Sequence, residues 1–312
     1  MTERKKIFIT GGAGFLGKHL VAHFYDDYDI TIYSRDEAKH YFIKKQFPEI
    51  NCIIGDVANF DLMNRSAQGH HLGIFAASLK QIEAVDQNVE VSINTIVTGA
   101  LNSRKVAEDN NFEAACFISS DKSRGATTLY GAMKFVGGEA FIVNAERSNV
   151  LLSTAIYGNV LNSTGSIIPL IWDSIRNNYS LVLYSEEMTR FMIESAEAIE
   201  VIENCLKVSG YNVIPNLKSF LVKDLFEIYE SRFGLKYTVG RPRISEKIHE
   251  IMIAKEEIPR THYNAEDNSF YMHYHNLADT SVEIEEFSSK DTVVSKQELE
   301  EILAKYDFFK PV

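Results

Sequence analysis

The chain has 312 residues, 45% of them hydrophobic and 24% charged, and a formal net charge of −11. That length supports one large or two modest domains around a sizeable core. The acidic balance argues against a protein that grips a nucleic-acid backbone.

The N-terminal stretch "MTERKKIFITGG" enters a short apolar strand with no hydrophobic signal region, and no later run approaches a membrane span. The three cysteines, Cys52, Cys116 and Cys205, are far apart and odd in number. Cys52 and Cys116 lie in apolar runs, which predicts buried free thiols in a reducing compartment. A cytoplasmic protein with neither nucleic acid nor membrane as partner is the expectation.

In chain order, "KIFIT" predicts a buried strand, and glycines then lead into the amphipathic helix "KHLVAHFYD". "DITIYSR", "NCIIGDV", "LGIFAAS" and "AACFISS" predict strands two to five, and "NVLLSTAIYGNV" a sixth. Helical patterns separate them, including "VEVSINTIVTGALNSRKVAEDN" and one that starts near Tyr130. Strands alternating with helices imply βαβ units, so an α/β fold with a doubly wound parallel sheet.

After about residue 160 the pattern is less regular. "GSIIPLIWDSIRNN", "SAEAIEVIENCLKVS", "LVKDLFEIYESRFG" and "SKQELEEILAKYD" predict helices; "SLVLYS" and "GYNVIPNL" predict strands. The polar, acidic segment "DTSVEIEEFSSKDT" (279–292) reads as a surface loop. The expected division is a cofactor-binding domain over 1–160 and a smaller C-terminal α/β substrate lobe over 161–312, interleaved with the first.

The turn "ITGGAGFLGKHL" places Gly11, Gly14 and Gly17 between the first strand and the first helix, with Phe15 and Leu16 among them. Gly11 permits the tight turn, Gly14 lets a pyrophosphate approach the backbone, and Gly17 lets helix and strand pack closely. The helix N-terminus offers free N–H groups to phosphate. This strand–turn–helix context is that of a Rossmann-type dinucleotide site. Ser34 and Arg35, after the second strand, suit a 2′-phosphate and favour NADP, while Asp36 leaves NAD open. Asp56, with Val57, falls near the adenine, and Ala76, Ala77 and Ser78 offer small residues where the backbone passes the cofactor.

Tyr130 and Lys134 are four apart and share a helix face. An ammonium beside a phenol stabilises phenolate, which can take a proton from a substrate hydroxyl as hydride leaves the same carbon. Ser120, Asp121 and Lys122 end the fifth strand, where open α/β sheets hold ligands. "HEIMI" (249–253) is not a zinc HExxH motif, because position 253 is Ile. His70–His71 and His273/His275 lack an accompanying Cys or carboxylate cluster, so no metal is expected.

With these residues the chain resembles the extended short-chain dehydrogenase/reductase superfamily, and more closely its UDP-N-acetylglucosamine 4,6-dehydratase family, the flagellin- and capsule-sugar type. "YSRDE", "AASLKQ", "SSDK", "YGAMK", "YGNV", "GSIIP", "MTRF" and "EKIHE" occur in that family's order and approximate spacing. The resemblance implies an NADP-dependent lyase acting on a UDP-N-acetylhexosamine. In that scheme Tyr130 takes the C4 hydroxyl proton, Lys122 the C5 proton, and Asp121 protonates the departing C6 hydroxyl. Hydride moves from C4 to the cofactor and returns at C6. Asp121 must then hold a proton and Lys122 lose one near neutrality, so both need surroundings that disfavour charge.

The resemblance also marks Lys80, Asn159, Arg190 and Arg241 for substrate contact, chiefly around diphosphate and uridine, with Lys80 serving the cofactor as well, and Glu250 for the nucleotide ribose. It implies a homo-oligomer, a dimer or larger, through helices 91–109 and 131–146. The chain departs from the pattern at Glu83, Ala126, Thr128, Ile156 and the loop "NSTGS" (162–166), which bears on the exact sugar. Tyr130 stands where many larger relatives have Met, which favours C5 inversion. Two alternatives remain: a nucleotide-sugar 4-epimerase or ketoreductase, and a non-catalytic NADP-binding sensor, which leaves Tyr130/Lys134 and Asp121/Lys122 unexplained.

Overall fold

The structure, a computed structural model, describes residues 4–242 and 244–311; the first three residues of the N-terminal stretch lie outside it. The first half runs β1 (Lys5–Thr10), α1 (Phe15–Phe24), β2 (Tyr28–Ser34), α2 (Glu37–Gln46), β3 (Asn51–Ile54), α3 (Phe60–Ser66), β4 (Leu72–Phe75), α4 (Ile82–Gln87), α5 (Val89–Ile93), a π-helical turn (Asn94–Thr98), α6 (Gly99–Asp109), β5 (Ala114–Ile118), α7 (Leu129–Ile142) and β6 (Leu151–Ala155). The second half runs β7 (Asn159–Val160), α8 (Ile167–Asn177), β8 (Leu181–Leu183), β9 (Thr189–Ile193), α9 (Ser195–Cys205), β10 (Tyr211–Pro215), β11 (Ser219–Leu221), α10 (Val222–Phe233), β12 (Tyr237–Val239), β13 (Ile251–Ile253), β14 (Thr261–Asn264), β15 (Ser269–His273), β16 (Phe287–Ser288) and α11 (Lys296–Lys305).

The main sheet has nine strands in the order β14-β15-β10-β6-β5-β4-β1-β2-β3. From β3 to β10 every pairing is parallel; the β14–β15 hairpin adds two antiparallel strands at one edge. Both faces are covered, which is why the central strands read as unbroken apolar runs. Ile7, Ile9, Ile30, Ile32 and Ile74 pack on one face with α1 and α9; Phe8, Tyr33, Phe75 and Phe117 pack on the other with α6 and α7. A separate core around Trp172, Phe220, Phe226 and Tyr229 holds α8, α10 and α11 together.

Three expectations change. The strand expected over 149–160 ends at Ala155, and Asn159–Val160 pairs instead with β9 in a three-stranded sheet of the second core. The helix expected over 89–110 is interrupted by the π-helical turn, where the Ile96 carbonyl would lie 3.2 Å from a Cβ on Gly137 of α7. The segment 279–292 is not simply a surface loop: Phe287, Ser288 and Ser289 are buried, and β16 pairs with β13.

Strand order reverses at β1, which lies between β2 and β4. In open α/β sheets the crevice beyond the C-terminal ends of such strands is where ligands bind. Here the loops after β1, β4, β5 and β6 converge on that end.

Candidate active site

At the β1–α1 turn, Gly11 adopts φ +71°, and a Cβ there would lie 3.0 Å from the Ala77 backbone after β4. Ala77 N donates to Thr10 Oγ1 at 3.2 Å, so the β1 and β4 ends are tied together. Gly14 is the N-cap of α1 with no side-chain cap, and a Cβ on it would meet only Gly11 O, at 3.1 Å. A Cβ on Gly17 would lie 2.4 Å from the carbonyl oxygens of both Gly11 and Gly12. The turn is open where a pyrophosphate would rest and closed where helix meets strand, so these residues fit a dinucleotide.

At the end of β2, the Asp36 carboxylate caps α2, accepting from Lys39 N at 3.0 Å and pairing with Lys39 Nζ at 2.9 Å. Ser34 Oγ lies 2.6 Å from Nε2 of buried His40. The exposed Arg35 reaches Asp56 Oδ2 at 3.5 Å, while Asp56 Oδ1 accepts from Ala58 N at 2.9 Å. Val57 is buried beneath α6, and Ser78 donates to its neighbour's carbonyl, Leu79 O.

The catalytic candidates meet after β5. Ser119 N donates to Ala155 O and Asp121 N to Tyr157 O, extending the β5–β6 alignment by two residues. Ser120 then caps a single 3₁₀ turn, Asp121–Ser123. Thr128 caps α7, accepting from Gly131 N, and α7 carries Tyr130 and Lys134 inward. A Cβ on Gly131 would lie 2.2 Å from Lys122 O, so α7 and the 3₁₀ turn press together because position 131 has no side chain. Gly158 plays a similar part: a Cβ there would lie 2.7 Å from Phe191 Cβ and 3.4 Å from Asp121 Oδ2. Both glycines belong to motifs quoted above, yet the sequence reading gave neither a role.

Asp121 is 1% exposed. Its Oδ1 accepts from Ser120 Oγ at 2.9 Å and Lys122 Nζ at 3.2 Å, and its Oδ2 is buried without a hydrogen bond. Burial pushes the carboxyl up, Lys122 pulls it down and Glu250 pushes it up again, leaving it above the ordinary aspartate range. That is the direction a general acid needs.

Lys122 does not match the expected base. Burial disfavours its charge, but Asp121 and Glu250 outweigh burial and hold the ammonium above its ordinary range. Tyr130 also differs. Burial raises its phenol and Asp121 adds to that, while Lys122 and Ser120 oppose them, so the phenol stays above its ordinary range and the nearby Lys122 charge acts on it. Lys134 Nζ donates to Ile118 O at 2.7 Å and lies 5.1 Å from the Phe117 ring centre; burial brings it down to about 7.

Of the substrate candidates, Arg190 and Glu250 meet, with Arg190 Nε 3.6 Å from Glu250 Oε1. Lys80 is exposed and donates to Thr164 O in the 162–166 loop. Asn159 is half-buried in β7, and Arg241 is exposed after β12. Arg190, expected on a diphosphate, is only 9% exposed: Nη1 donates to Thr189 O and Ile248 O, and Nη2 to Glu246 Oε1 at 2.5 Å. Glu250, expected on a ribose, is 3% exposed and lies 3.3 Å from Lys122 Nζ. It therefore joins the Asp121–Lys122 cluster, because a buried carboxylate needs cations around it. His273 lies on β15 and lines a groove with Tyr211, Arg260 and His262.

Among curated proteins, an uncharacterized membrane protein of Methanocaldococcus jannaschii is 30% identical over 283 residues, 84% of this chain and 83% of that one. No helix among the described residues here is long and apolar enough to cross a membrane. A Campylobacter jejuni UDP-N-acetylglucosamine 4,6-dehydratase (inverting) is 29% identical over 282 residues, 87% of this chain and 83% of its own. A Rickettsia massiliae UDP-glucose 4-epimerase is 29% identical over 273 residues, 82% and 80% of the two chains. The solved structure of Pen from Bacillus thuringiensis superposes with a TM-score of 0.89 at 21% identity, covering 99% of this chain and 100% of that one, a likeness of fold. The polysaccharide biosynthesis protein family model matches residues 7–272, spanning the glycine turn, the Asp121–Lys122 pair and Tyr130, and the chain belongs to that family.

Proposed function

We infer that the chain is a hydro-lyase that removes water from a UDP-N-acetylhexosamine, UDP-N-acetylglucosamine above all, to give the 4-keto-6-deoxy sugar with C5 inverted. The observation that carries this reading is the Asp121–Lys122 contact at the end of β5, in one cluster with Ser120 and Tyr130. A hydride-transfer site needs only the tyrosine and its neighbours; elimination at C5–C6 needs a second acid and a base. A nicotinamide dinucleotide held at the Gly11–Gly17 turn would supply the acceptor for the C4 hydride and its donor at C6. Tyr130 takes the C4 hydroxyl proton, helped by the nearby Lys122 charge. Lys122 takes the C5 proton, and Asp121 gives its proton to the C6 hydroxyl as it leaves.

Incubation with UDP-N-acetylglucosamine and cofactor is expected to give a product lighter by one water, without added reductant. NMR of the same sample reports the C5 configuration. An unchanged mass across several UDP-sugars would refute the reading. The second reading, a nucleotide-sugar 4-epimerase, draws on the relative of that name and on the charged resting state of Lys122; it predicts an isomer of unchanged mass.

NADP is favoured over NAD because Asp36 is committed to the α2 cap, while the exposed Arg35 has only a 3.5 Å contact with Asp56 to give up in order to meet the adenosine ribose. Arg35→Ala is expected to weaken NADP binding about tenfold, the scale of one charge-assisted hydrogen bond, and to leave NAD binding nearly unchanged. Equal losses for both, measured by fluorescence titration, would count against a 2′-phosphate contact. A homo-oligomer through α5–α7 is supported by the exposed apolar side chains Val91, Leu101, Phe135 and Val136 on those helices.

A further inference from the structure

Glu250 has surroundings that a ribose contact does not require. Its Oε1 lies 3.3 Å from Lys122 Nζ and 3.6 Å from Arg190 Nε, and its Oε2 lies 3.9 Å from Lys247 Nζ. Oε2 is sealed from solvent without a hydrogen bond. Burial opposes its charge, but Lys122, Arg190 and Lys247 outweigh burial and keep it ionised, below the ordinary glutamate range.

The backbone at this position is fixed from both sides. Glu250 N donates to Ser289 Oγ at 2.9 Å, and Ser289 N donates to Glu250 O at 2.8 Å. Ser289 Oγ also lies 2.6 Å from Thr189 Oγ1, next to Arg190. The second half of the chain thus delivers a permanent negative charge to the amine at the end of β5.

On the dehydratase reading, we propose that Glu250 is the positioning residue for Lys122: it anchors the amine beside Asp121 and sets the pH range in which the Asp121–Lys122 pair works. Lys122 faces Asp121, Glu250, Arg190 and Tyr130; Lys247 faces Glu250, Asp121, Lys122 and Arg190; Arg190 also pairs with Glu246. The working pair carries a proton on Asp121 and a lone pair on Lys122. It holds as many protons as the resting ion pair. One Lys122 N–H bond breaks, its electrons stay on Nζ, and an O–H bond forms on Asp121; no other reactant is needed.

Such a pair works between two limbs, with both groups protonated below and neither above. The Glu250 charge favours the proton on Asp121 and on Lys122 alike. Removing that charge moves both limbs to lower pH.

The pH–rate profile for water loss from UDP-N-acetylglucosamine is the first test. Glu250→Gln is expected to shift both limbs down by about one pH unit, and Glu250→Asp, which restores the charge, to bring them back. Lys247→Gln, which removes a cation facing both groups, is expected to shift them upward; it decides the matter even if the Glu250 variants fail to fold. A Glu250→Gln profile that loses height with both limbs in place, or an unmoved Lys247→Gln profile, overturns the proposal. Carbon-13 NMR titration of the Asp121 carboxyl, assigned with Asp121→Asn, needs no turnover. An unchanged midpoint in Glu250→Gln overturns the role of Glu250 whatever the reaction. A lowered midpoint in a protein that dehydrates no UDP-sugar upholds it and overturns the dehydratase reading alone.

Discussion

Asp121→Asn is expected to lower the rate of water loss about a thousandfold, within the range that a positioned general acid supplies. The amide has the carboxyl's shape and can accept from Ser120 and Lys122 through the same oxygen, so the 3₁₀ turn should hold. What it lacks is a proton to give at C6. The C4 step does not need that proton, but Lys122 gains its lone pair only by passing a proton to Asp121, so the C5 step is blocked as well. Substrate recovered from deuterium oxide should therefore carry almost no deuterium at C5 and still hold its C6 hydroxyl. Mass spectrometry reads both quantities in one sample. Water loss at the wild-type rate by Asp121→Asn would remove Asp121 from the chemistry.

Gly17→Ala carries the second large effect. Its methyl would sit 2.4 Å from two backbone oxygens, and neither Gly11 nor Gly12 has a flexible end that can yield. The β1–α1 turn must move, at a cost of about 2 kcal/mol, the usual scale for forcing a carbon into a packed interior. A drop of several degrees in Tm and at least a tenfold loss of dinucleotide affinity are expected. Gly14→Ala is the control. Its φ of −76° suits any residue and its methyl meets one atom at 3.1 Å, so Tm should barely change while affinity still falls. Equal Tm losses in the two variants would show that the turn is not divided into a packing side and a phosphate side.

Much of the first half was legible because buried parallel strands announce themselves as short apolar runs between helical patterns. β14 and β15 were passed over: "THYN" and "SFYMH" are short, aromatic and set in polar sequence, and only the edge of β10 makes them strands. The split of "NVLLSTAIYGNV" into β6 and β7 was hidden for a related reason. Its residues are apolar throughout, and the choice between two sheets is made by β9, some 30 residues on. The site was legible in its local parts, since Ser120, Asp121, Lys122, Tyr130 and Lys134 lie within one short stretch. Their charge states were not. Lys122 is held as an ammonium by Glu250, which arrives from the other half of the chain, and spacing carries no record of such a meeting. The partners of Arg190 were hidden in the same way: an arginine within a short strand looks available until Glu246 and two carbonyls are found around it.

The partition of the main sheet between the halves of the chain has a consequence for dissecting it. β10 and the β14–β15 hairpin lie beyond residue 160, yet they continue the sheet from β6. A fragment stopped at residue 160 would end its sheet on β6, whose buried apolar side chains and unpaired N–H and C=O groups would face water. Bare edges of that kind recruit strands from other chains. The first half is therefore better regarded as an unfinished sheet than as a unit that can be lifted out, and its solubility depends on residues more than a hundred positions downstream.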